Sequence, residues 1–177
     1  MIKTILLMMI LMMTSLSYAK VYTIKKGKHN SGLHTAFVRT KMFNFTAKFD
    51  DTGRYNLGNV NQYDINKLYG FSDCFSSHHK NSARIGWVWN LSTSKMEIHA
   101  YTYADGKRNY KYITSVPLNK TIYYSIAIDS RNYIMTADGI SVSMERGCKS
   151  KNANGYKLYP YFGGDEVAPH NITIEIN

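Results

Sequence analysis

Hydrophobic and polar residues alternate over short runs along most of the chain, and turn residues separate the runs. In "SARIGWVWN", Ile85, Trp87 and Trp89 fall on one face, whereas Arg84 and Val88 fall on the other. A period of two is the pattern of a β-strand with one buried face. The two tryptophans share their face with Ile85, which favours a place in the core. The pattern predicts an all-β fold.

Strands and turns follow one another closely in the second half of the chain. "KMEIHAYTYADG" predicts a strand that ends at Asp105-Gly106, a dipeptide typical of hairpin turns. The strand "YKYITSV" comes next, and three further runs, "TIYYSIAID", "YIMTA" and "ISVSM", are joined by the turns "SRN" and "ADG". Such spacing predicts a meander of antiparallel hairpins.

Two distant segments carry matching apolar stripes. Phenylalanines alternate in "FNFTAKFDD", and isoleucines alternate in the closing "NITIEIN". We expect these two strands to pair near the middle of a sheet. By contrast, residues 53–79 are rich in Asn, Gly, Tyr and Ser, and this composition indicates long loops with about one turn of helix.

The run "YYSIAIDSRNYIMTADGISVSM" resembles the central hairpins of concanavalin A-like jelly rolls, including laminin-G-type domains. The first and last strands of that fold also pair with each other. The resemblance covers residues 43–177 and implies a two-sheet antiparallel jelly-roll β-sandwich there, with residues 20–42 as a lead-in segment. Both lectins and polysaccharide-cleaving enzymes have this fold, so the fold alone does not decide the function.

The first residues have the layout of a secretory signal peptide. Lys3 precedes an apolar run over residues 5–13, and a polar stretch ends in Ser-Tyr-Ala. We expect cleavage after Ala19 and a secreted, periplasmic or cell-surface protein. The apolar run is shorter than the roughly 20 residues of a membrane span, although an uncleaved anchor is the alternative. No transmembrane segment is expected in the mature chain.

Charge and cysteine content narrow the partners and the compartment. The formal net charge is +10. In an exported protein this charge suits anionic glycans, cell-wall polymers or lipid headgroups rather than nucleic acid, with general solubility as the alternative. Cys74 and Cys148 are expected to form one disulfide in an oxidising compartment, and two buried free thiols are the alternative.

One strand face carries the candidate binding residues Glu97, His99, Tyr101 and Tyr103. An aromatic ring covers the apolar face of a sugar, while polar groups bind its hydroxyls. This face therefore predicts carbohydrate binding, with a tyrosine ladder that only stabilises the sheet as the alternative. Further ligand contacts are expected around it, from Arg84, His78, His79, Tyr159 and Tyr161.

A second resemblance, to the jelly-roll alginate lyases, rests on three motifs in the same order. They are Arg84 in "SARIGW", "EIH" at residues 97–99 and "YKLYPYF" at residues 156–162. The enzymes carry an arginine-bearing strand, a Gln-Ile-His or Val-Ile-His strand and a tyrosine-rich strand. The resemblance implies cleavage of a uronate polysaccharide by Arg84, His99, Tyr101 and Tyr159. Glu97 departs from the motif, which has Gln or Val at this position. Its carboxylate would repel the carboxylate of the substrate, which argues against cleavage.

These observations favour a non-catalytic, lectin-like protein that binds polysaccharide, and an anionic polysaccharide suits the charge. The alternatives are a small lyase for uronate-containing polysaccharide and a surface adhesin with a protein partner. A glycosidase is disfavoured because the Glu-x-Asp-x-x-Glu arrangement of jelly-roll glucanases is missing.

No cofactor is required for carbohydrate binding, but a structural calcium ion is a further expectation. Four acids lie near the two strands that are expected to pair, and hard oxygen ligands suit calcium: Asp50, Asp51, Asp165 and Glu166. Solvated loop acids are the alternative.

Overall fold

The computed structural model describes residues 19–177, so the predicted signal peptide lies almost wholly outside the described residues. The described chain forms two six-stranded antiparallel sheets. In chain order the strands are β1 (Lys20–Ile24), β2 (Phe37–Thr40), β3 (Met42–Phe49), β4 (Asn66–Ser72), β5 (Ser82–Asn90), β6 (Lys95–Ala104), β7 (Lys107–Val116), β8 (Ile122–Asp129), β9 (Asn132–Ala137), β10 (Ile140–Glu145), β11 (Ala153–Leu158) and β12 (Ile172–Ile176).

The first sheet has the order β1-β12-β3-β8-β9-β10. β12 pairs with β3 inside this sheet, which confirms the expected pairing of "FNFTAKFDD" with "NITIEIN". β8, β9 and β10 form the predicted meander, with Ser130 and Asp138 in the left-handed backbone region at the two turns. These hairpins therefore follow from local turn chemistry and strand spacing.

The second sheet has the order β2-β11-β4-β5-β6-β7. Its inner face packs on the first sheet, and both tryptophans of "WVW" lie in the core, as their shared face with Ile85 predicted. The ring of Trp87 is fully buried and its centroid lies 5.1 Å from that of Phe49 on β3. Since successive side chains point to opposite faces, the residues between the buried ones project outward from this sheet.

Two parts of the chain differ from the sequence-based expectation. Residues 20–42 are not a separate lead-in, because β1 and β2 join the edges of the two sheets. The segment 53–79 is largely loop with one turn of 3-10 helix at Val60–Tyr63, as predicted, but it also contains β4, a fully buried strand inside the second sheet that was not predicted. β4 lacks polar alternation because neighbouring strands and both faces cover it, and this concealed it in the sequence.

A covalent bond and a buried ion pair fix the end of β4. Cys74 and Cys148 form the predicted disulfide, with their Cα atoms 5.8 Å apart. Beside it, Arg146 Nε donates to Asp73 Oδ2 at 2.7 Å, and neither side chain is exposed. Tyr133 donates to the same carboxylate oxygen. These contacts tie the loop after β4 to β9 and to the segment after β10.

Within residues 19–177 no helix is long and apolar enough to cross a membrane.

Candidate functional site

A cleft of about 460 Å³ lies on the outer face of the second sheet. β5, β6 and β7 form its floor, and residues 63–65 and 164–165 form a wall beside it. Its size falls within the range of small-molecule and oligosaccharide sites. The cleft contains three of the four residues of the face that the sequence singled out, since Glu97, His99 and Tyr101 line it and Tyr103 does not.

Strand register brings the predicted residues together. Arg84 lies opposite Tyr101, and Gly86 lies opposite His99. A Cβ atom on Gly86 would lie 2.4 Å from Ile65 Cγ2, so glycine lets the cleft wall approach β5. The expectation that Arg84 stands beside the Glu97 row is therefore met by the pairing of β5 with β6.

Arg84 is a buried cation on β5 that does not itself line the cleft but lies beside Tyr101, which does. Its side chain is 7% exposed, and its guanidinium carbon lies 5.2 Å from the centroid of the Tyr101 ring. No acidic side chain of residues 19–177 forms an ion pair with Arg84, and within the same range its buried Nε has no hydrogen-bond partner. Burial lowers the pKa of Arg84, and nearby phenol groups oppose this shift, those of Tyr101, Tyr103, Tyr156 and Tyr161.

Lys67 is a second buried cation, which the sequence analysis missed. Its Nζ donates to Gly163 O at 2.9 Å and lies 5.0 Å from the centroid of the Tyr101 ring. Burial, together with the charges of Arg84 and Arg108, lowers the pKa of Lys67 to about 8, while Asp64 opposes this shift. The signal in the sequence was a lone lysine in the strand "NKLYGFS". Burial of its charge costs free energy, so a lysine at such a position indicates a functional role.

Glu97 and His99 form a polar pair on β6. The distance from His99 Nε2 to Glu97 Oε2 is 3.6 Å, and Asn90 donates to the other Glu97 oxygen at 2.6 Å. Burial lowers the pKa of His99, while Glu97 opposes this shift. Both ring nitrogens of His99 are buried without a hydrogen-bond partner in the described chain. The imidazole of His99 therefore lines the cleft, with the carboxylate of Glu97 as a loosely paired neighbour.

The predicted rim residues lie beside Arg84. His78 Nδ1 is 3.0 Å from the hydroxyl of Tyr156, and the rings of His79 and Tyr103 have centroids 5.5 Å apart. Burial, together with Arg84 and His79, lowers the pKa of His78 to about 4. His78 is therefore neutral at physiological pH and supplies a hydrogen-bonding group rather than a charge.

The two tyrosines of "YPYF" separate. Tyr161 lies at the cleft: its backbone pairs with that of Lys67 in both directions, and its ring centroid lies 5.7 Å from Lys67 Nζ. Tyr159 instead packs on the core side, with ring centroids 4.7 Å from His34 and 5.7 Å from Tyr22. The placement of Tyr159 as a ligand or catalytic residue is thus corrected, because β11 ends at Leu158 and the two rings beyond it contact different groups.

The structure does not bring the four acids of the expected calcium site together. Asp50 accepts from Thr52 N, and Asp51 forms an ion pair with Arg54 at 3.0 Å. Glu166 accepts from Asn59 and Asn61 side chains, while Asp165 lines the cleft. Within residues 19–177 one group of three metal-ligand side chains converges, and it consists of Asp73 with the two disulfide cysteines. The acids thus serve as caps, turn residues and cleft wall.

The sequence matches no protein family and no curated protein. Its fold is similar to that of several solved structures. The alginate lyase AlyC3 has a TM-score of 0.61 and 14% identity over 90% of this chain and 72% of its own. The GH16 endo-β-1,3(4)-glucanase SCLam has a TM-score of 0.55 and 10% identity, over 80% of this chain and 57% of its own. The family 18 polysaccharide lyase aly-SJ02 has a TM-score of 0.52 and 8% identity, over 93% of this chain and 88% of its own. These similarities confirm the concanavalin A-like jelly-roll fold.

Proposed function

We propose that this protein is an exported, non-catalytic β-sandwich that binds an acidic polysaccharide in the cleft. In this proposal Arg84 receives a carboxylate of the ligand, Lys67 adds a second positive charge, and the tyrosines contact the sugar rings. The proposed ligand is a polymer that contains uronate residues.

The state of Arg84 is the observation that carries this proposal. A buried charge without a partner costs free energy that a protein recovers when a ligand supplies the opposite charge. Arg84 has no ion pair within residues 19–177, and Lys67, also unpaired there, lies over the same Tyr101 ring. The planar guanidinium matches a carboxylate in two parallel hydrogen bonds.

Aromatic side chains around the two cations suit a sugar polymer. Tyr101 and Tyr110 line the cleft, and Tyr161 lies beside Lys67. Rings of this kind bind with little loss of conformational entropy and leave a hydroxyl for hydrogen bonding. Solved structures of the same fold include two polysaccharide lyases and a glucanase, which supports a carbohydrate ligand.

Glu97 favours binding over cleavage. An eliminating enzyme must neutralise the uronate carboxylate so that the C5 proton becomes acidic. Glu97 brings a negative charge to within 3.6 Å of His99, which is the nearest candidate base. This charge opposes the developing negative charge of the transition state.

Binding to soluble polymers tests the proposal. Affinity is measured for alginate, polygalacturonate and a neutral β-glucan at low and high salt. We expect the two uronate polymers to bind and salt to weaken them, because screening reduces the attraction of charges. Equal affinity for the neutral glucan, or binding only to a protein partner, contradicts the proposal.

A polysaccharide lyase is the second candidate, and the observation that favours it is the imidazole of His99, which lines the cleft and makes no hydrogen bond within residues 19–177. His99 would take the C5 proton of a uronate, the electron pair would form the C4–C5 double bond, and the C4–O bond would break. A tyrosine at the cleft, Tyr101 or Tyr161, would give its proton to the leaving oxygen. Arg84 would neutralise the carboxylate in this reaction too.

Absorbance of the unsaturated product separates the two candidates. The wild-type protein is incubated with alginate and polygalacturonate, and His99→Ala serves as the matched variant. Binding without product supports the binding protein. Product that is lost in His99→Ala establishes the lyase and contradicts the non-catalytic role.

A further inference from the structure

Two exposed phenylalanines lie at the end of the second sheet that is farther from the cleft. The side chains of Phe37 and Phe75 are 94% and 86% exposed. Both line a groove that also contains Arg39 and Asn154. Two large apolar rings exposed in one groove are unusual on a soluble surface and mark an interaction site.

The groove continues the outer face that carries the cleft. Phe37 on β2 lies directly opposite Tyr156 on β11, so the two side chains leave the same face of the sheet. Tyr156 bonds to His78, and its phenol affects the pKa of Arg84. A continuous surface therefore runs from Arg84 through Tyr156 to Phe37.

The backbone holds Phe75 in its exposed position. Cys74 and Phe75 have φ angles of 58° and 50°, a left-handed conformation that costs free energy for two successive residues other than glycine. The disulfide of Cys74 holds this turn, and Asp73 Oδ1 accepts from Cys74 N at 2.7 Å. Phe75 N also donates to Asn154 O at 2.9 Å. These contacts hold the turn in place, although the Phe75 ring itself does not pack in the core.

We propose that Phe37, Phe75 and Arg39 form a second subsite, which binds a distal part of the same acidic polysaccharide chain that Arg84 binds. The proposal rests on the proposed function and deepens it. β2 is three strands away from β5, which places the subsite about 14 Å from the cleft at ordinary strand spacing. A ligand that reaches both is an extended chain of several sugars.

Charge and continuity favour this occupant over a protein. Arg39 lies opposite Asn154, which gives the groove a cation and an amide beside the two rings. Rings for sugar faces, a cation for a carboxylate and an amide for hydroxyls are the groups that the cleft itself combines. The alternative occupant, which the experiment must exclude, is a second copy of the chain, because β2 is an edge strand with exposed apolar side chains.

Chain length is the variable that tests the subsite. The affinities of a uronate disaccharide and of a long oligouronate are measured by calorimetry for four proteins: wild type, Phe37→Ala, Phe75→Ala and Tyr123→Ala. Tyr123 is a matched aromatic control, because it is 48% exposed on β8 of the first sheet. Thermal unfolding verifies that each variant is folded.

We expect each phenylalanine variant to bind the long oligomer about five- to tenfold more weakly and the disaccharide as wild type does. Tyr123→Ala should match wild type with both. Unchanged affinity of both phenylalanine variants for the long oligomer, while Arg84→Gln still abolishes binding, overturns the subsite and leaves the proposed function standing. Absence of wild-type binding to any uronate overturns both. A wild-type dimer that Phe37→Ala dissociates assigns the groove to self-association and also overturns the subsite.

Discussion

Arg84 and Tyr101 face each other across β5 and β6, and the phenol ring lies 5.2 Å from the guanidinium carbon. The ring attracts the cation without neutralising it. Arg84 is thereby kept buried, charged and unpaired among the described side chains. Such an arrangement costs stability, and in the proposed function the countercharge comes from the ligand.

Replacing Arg84 by an apolar residue should therefore stabilise the protein. We expect Arg84→Met to raise the free energy of unfolding by about 1 kcal/mol, or Tm by ~3 °C, since it removes a buried charge. Calorimetric unfolding measures this shift. Arg131→Met is the matched control, because Arg131 is exposed in the turn between β8 and β9. A marked loss of stability in Arg84→Met would show that the folded protein already neutralises the guanidinium.

Lys67 should make ligand binding depend on pH. Burial, with the charges of Arg84 and Arg108, lowers its pKa from an ordinary 10.5 to about 8, and Asp64 opposes this shift. A bound carboxylate favours charged Lys67, so affinity should fall by up to about tenfold per pH unit above pH 8. Calorimetry across pH 7 to 10 checks this fall, which Lys67→Met should abolish and Lys111→Met, on an exposed residue of β7, should retain.

Lys67 should also make stability depend on pH, but stability should rise with pH where ligand affinity falls. Between pH 8 and 10.5 Lys67 is neutral in the folded protein and charged in the unfolded chain, so the unfolded chain binds more protons. The contribution of Lys67 therefore becomes more favourable as pH rises through this window. Chemical denaturation at both ends of the window, in wild type and Lys67→Met, isolates the contribution. Identical pH dependence in the two proteins would contradict it.

Glu97 should weaken the binding of acidic ligands. We expect Glu97→Gln to raise affinity for uronates about fivefold, because the variant removes a carboxylate from the cleft that is proposed to bind carboxylates. The amide retains a hydrogen-bond acceptor for Asn90. Titration with a uronate oligomer and with a neutral oligomer measures the difference. An equal change for both oligomers would mean that Glu97 contacts hydroxyls instead.

The two tyrosines of "YPYF" should have separate effects. Tyr161→Ala should weaken ligand binding about tenfold, because its ring lies beside Lys67 at the cleft. Tyr159→Ala should leave affinity unchanged and lower stability by about 2 kcal/mol, because its ring packs on Tyr22 and His34. Affinity and Tm measured on both variants distinguish the roles. Weaker binding by a folded Tyr159→Ala would contradict the placement of that ring.

Most of the fold could be predicted from the alternation of apolar and polar residues along the strands. Ile85, Trp87 and Trp89 alternate with outward residues, and their place in the core follows from that period. The disulfide was predicted from two cysteines in a chain that the sequence predicts to be exported. β4 could not be predicted in the same way, because a strand buried on both faces shows no period of two.

Cleft residues were predictable where one strand carries several of them. Glu97, His99 and Tyr101 share a face of β6, so their alternation alone brings them together. Lys67 could not be found in this way, because its role depends on the hidden strand β4 and on Tyr161 from a distant part of the chain. The different surroundings of Tyr159 and Tyr161 likewise depend on tertiary contacts, since β11 ends at Leu158 and the backbone of Tyr161 pairs with that of Lys67.

The affinity of Arg84→Gln for a uronate oligomer tests the central claim most directly. Isothermal titration compares this variant with wild type and with Arg131→Gln under identical salt and pH. We predict binding by wild type and Arg131→Gln and a loss of at least about a hundredfold in Arg84→Gln, since a charged hydrogen-bonded pair disappears. Wild-type affinity in a folded Arg84→Gln would contradict the account.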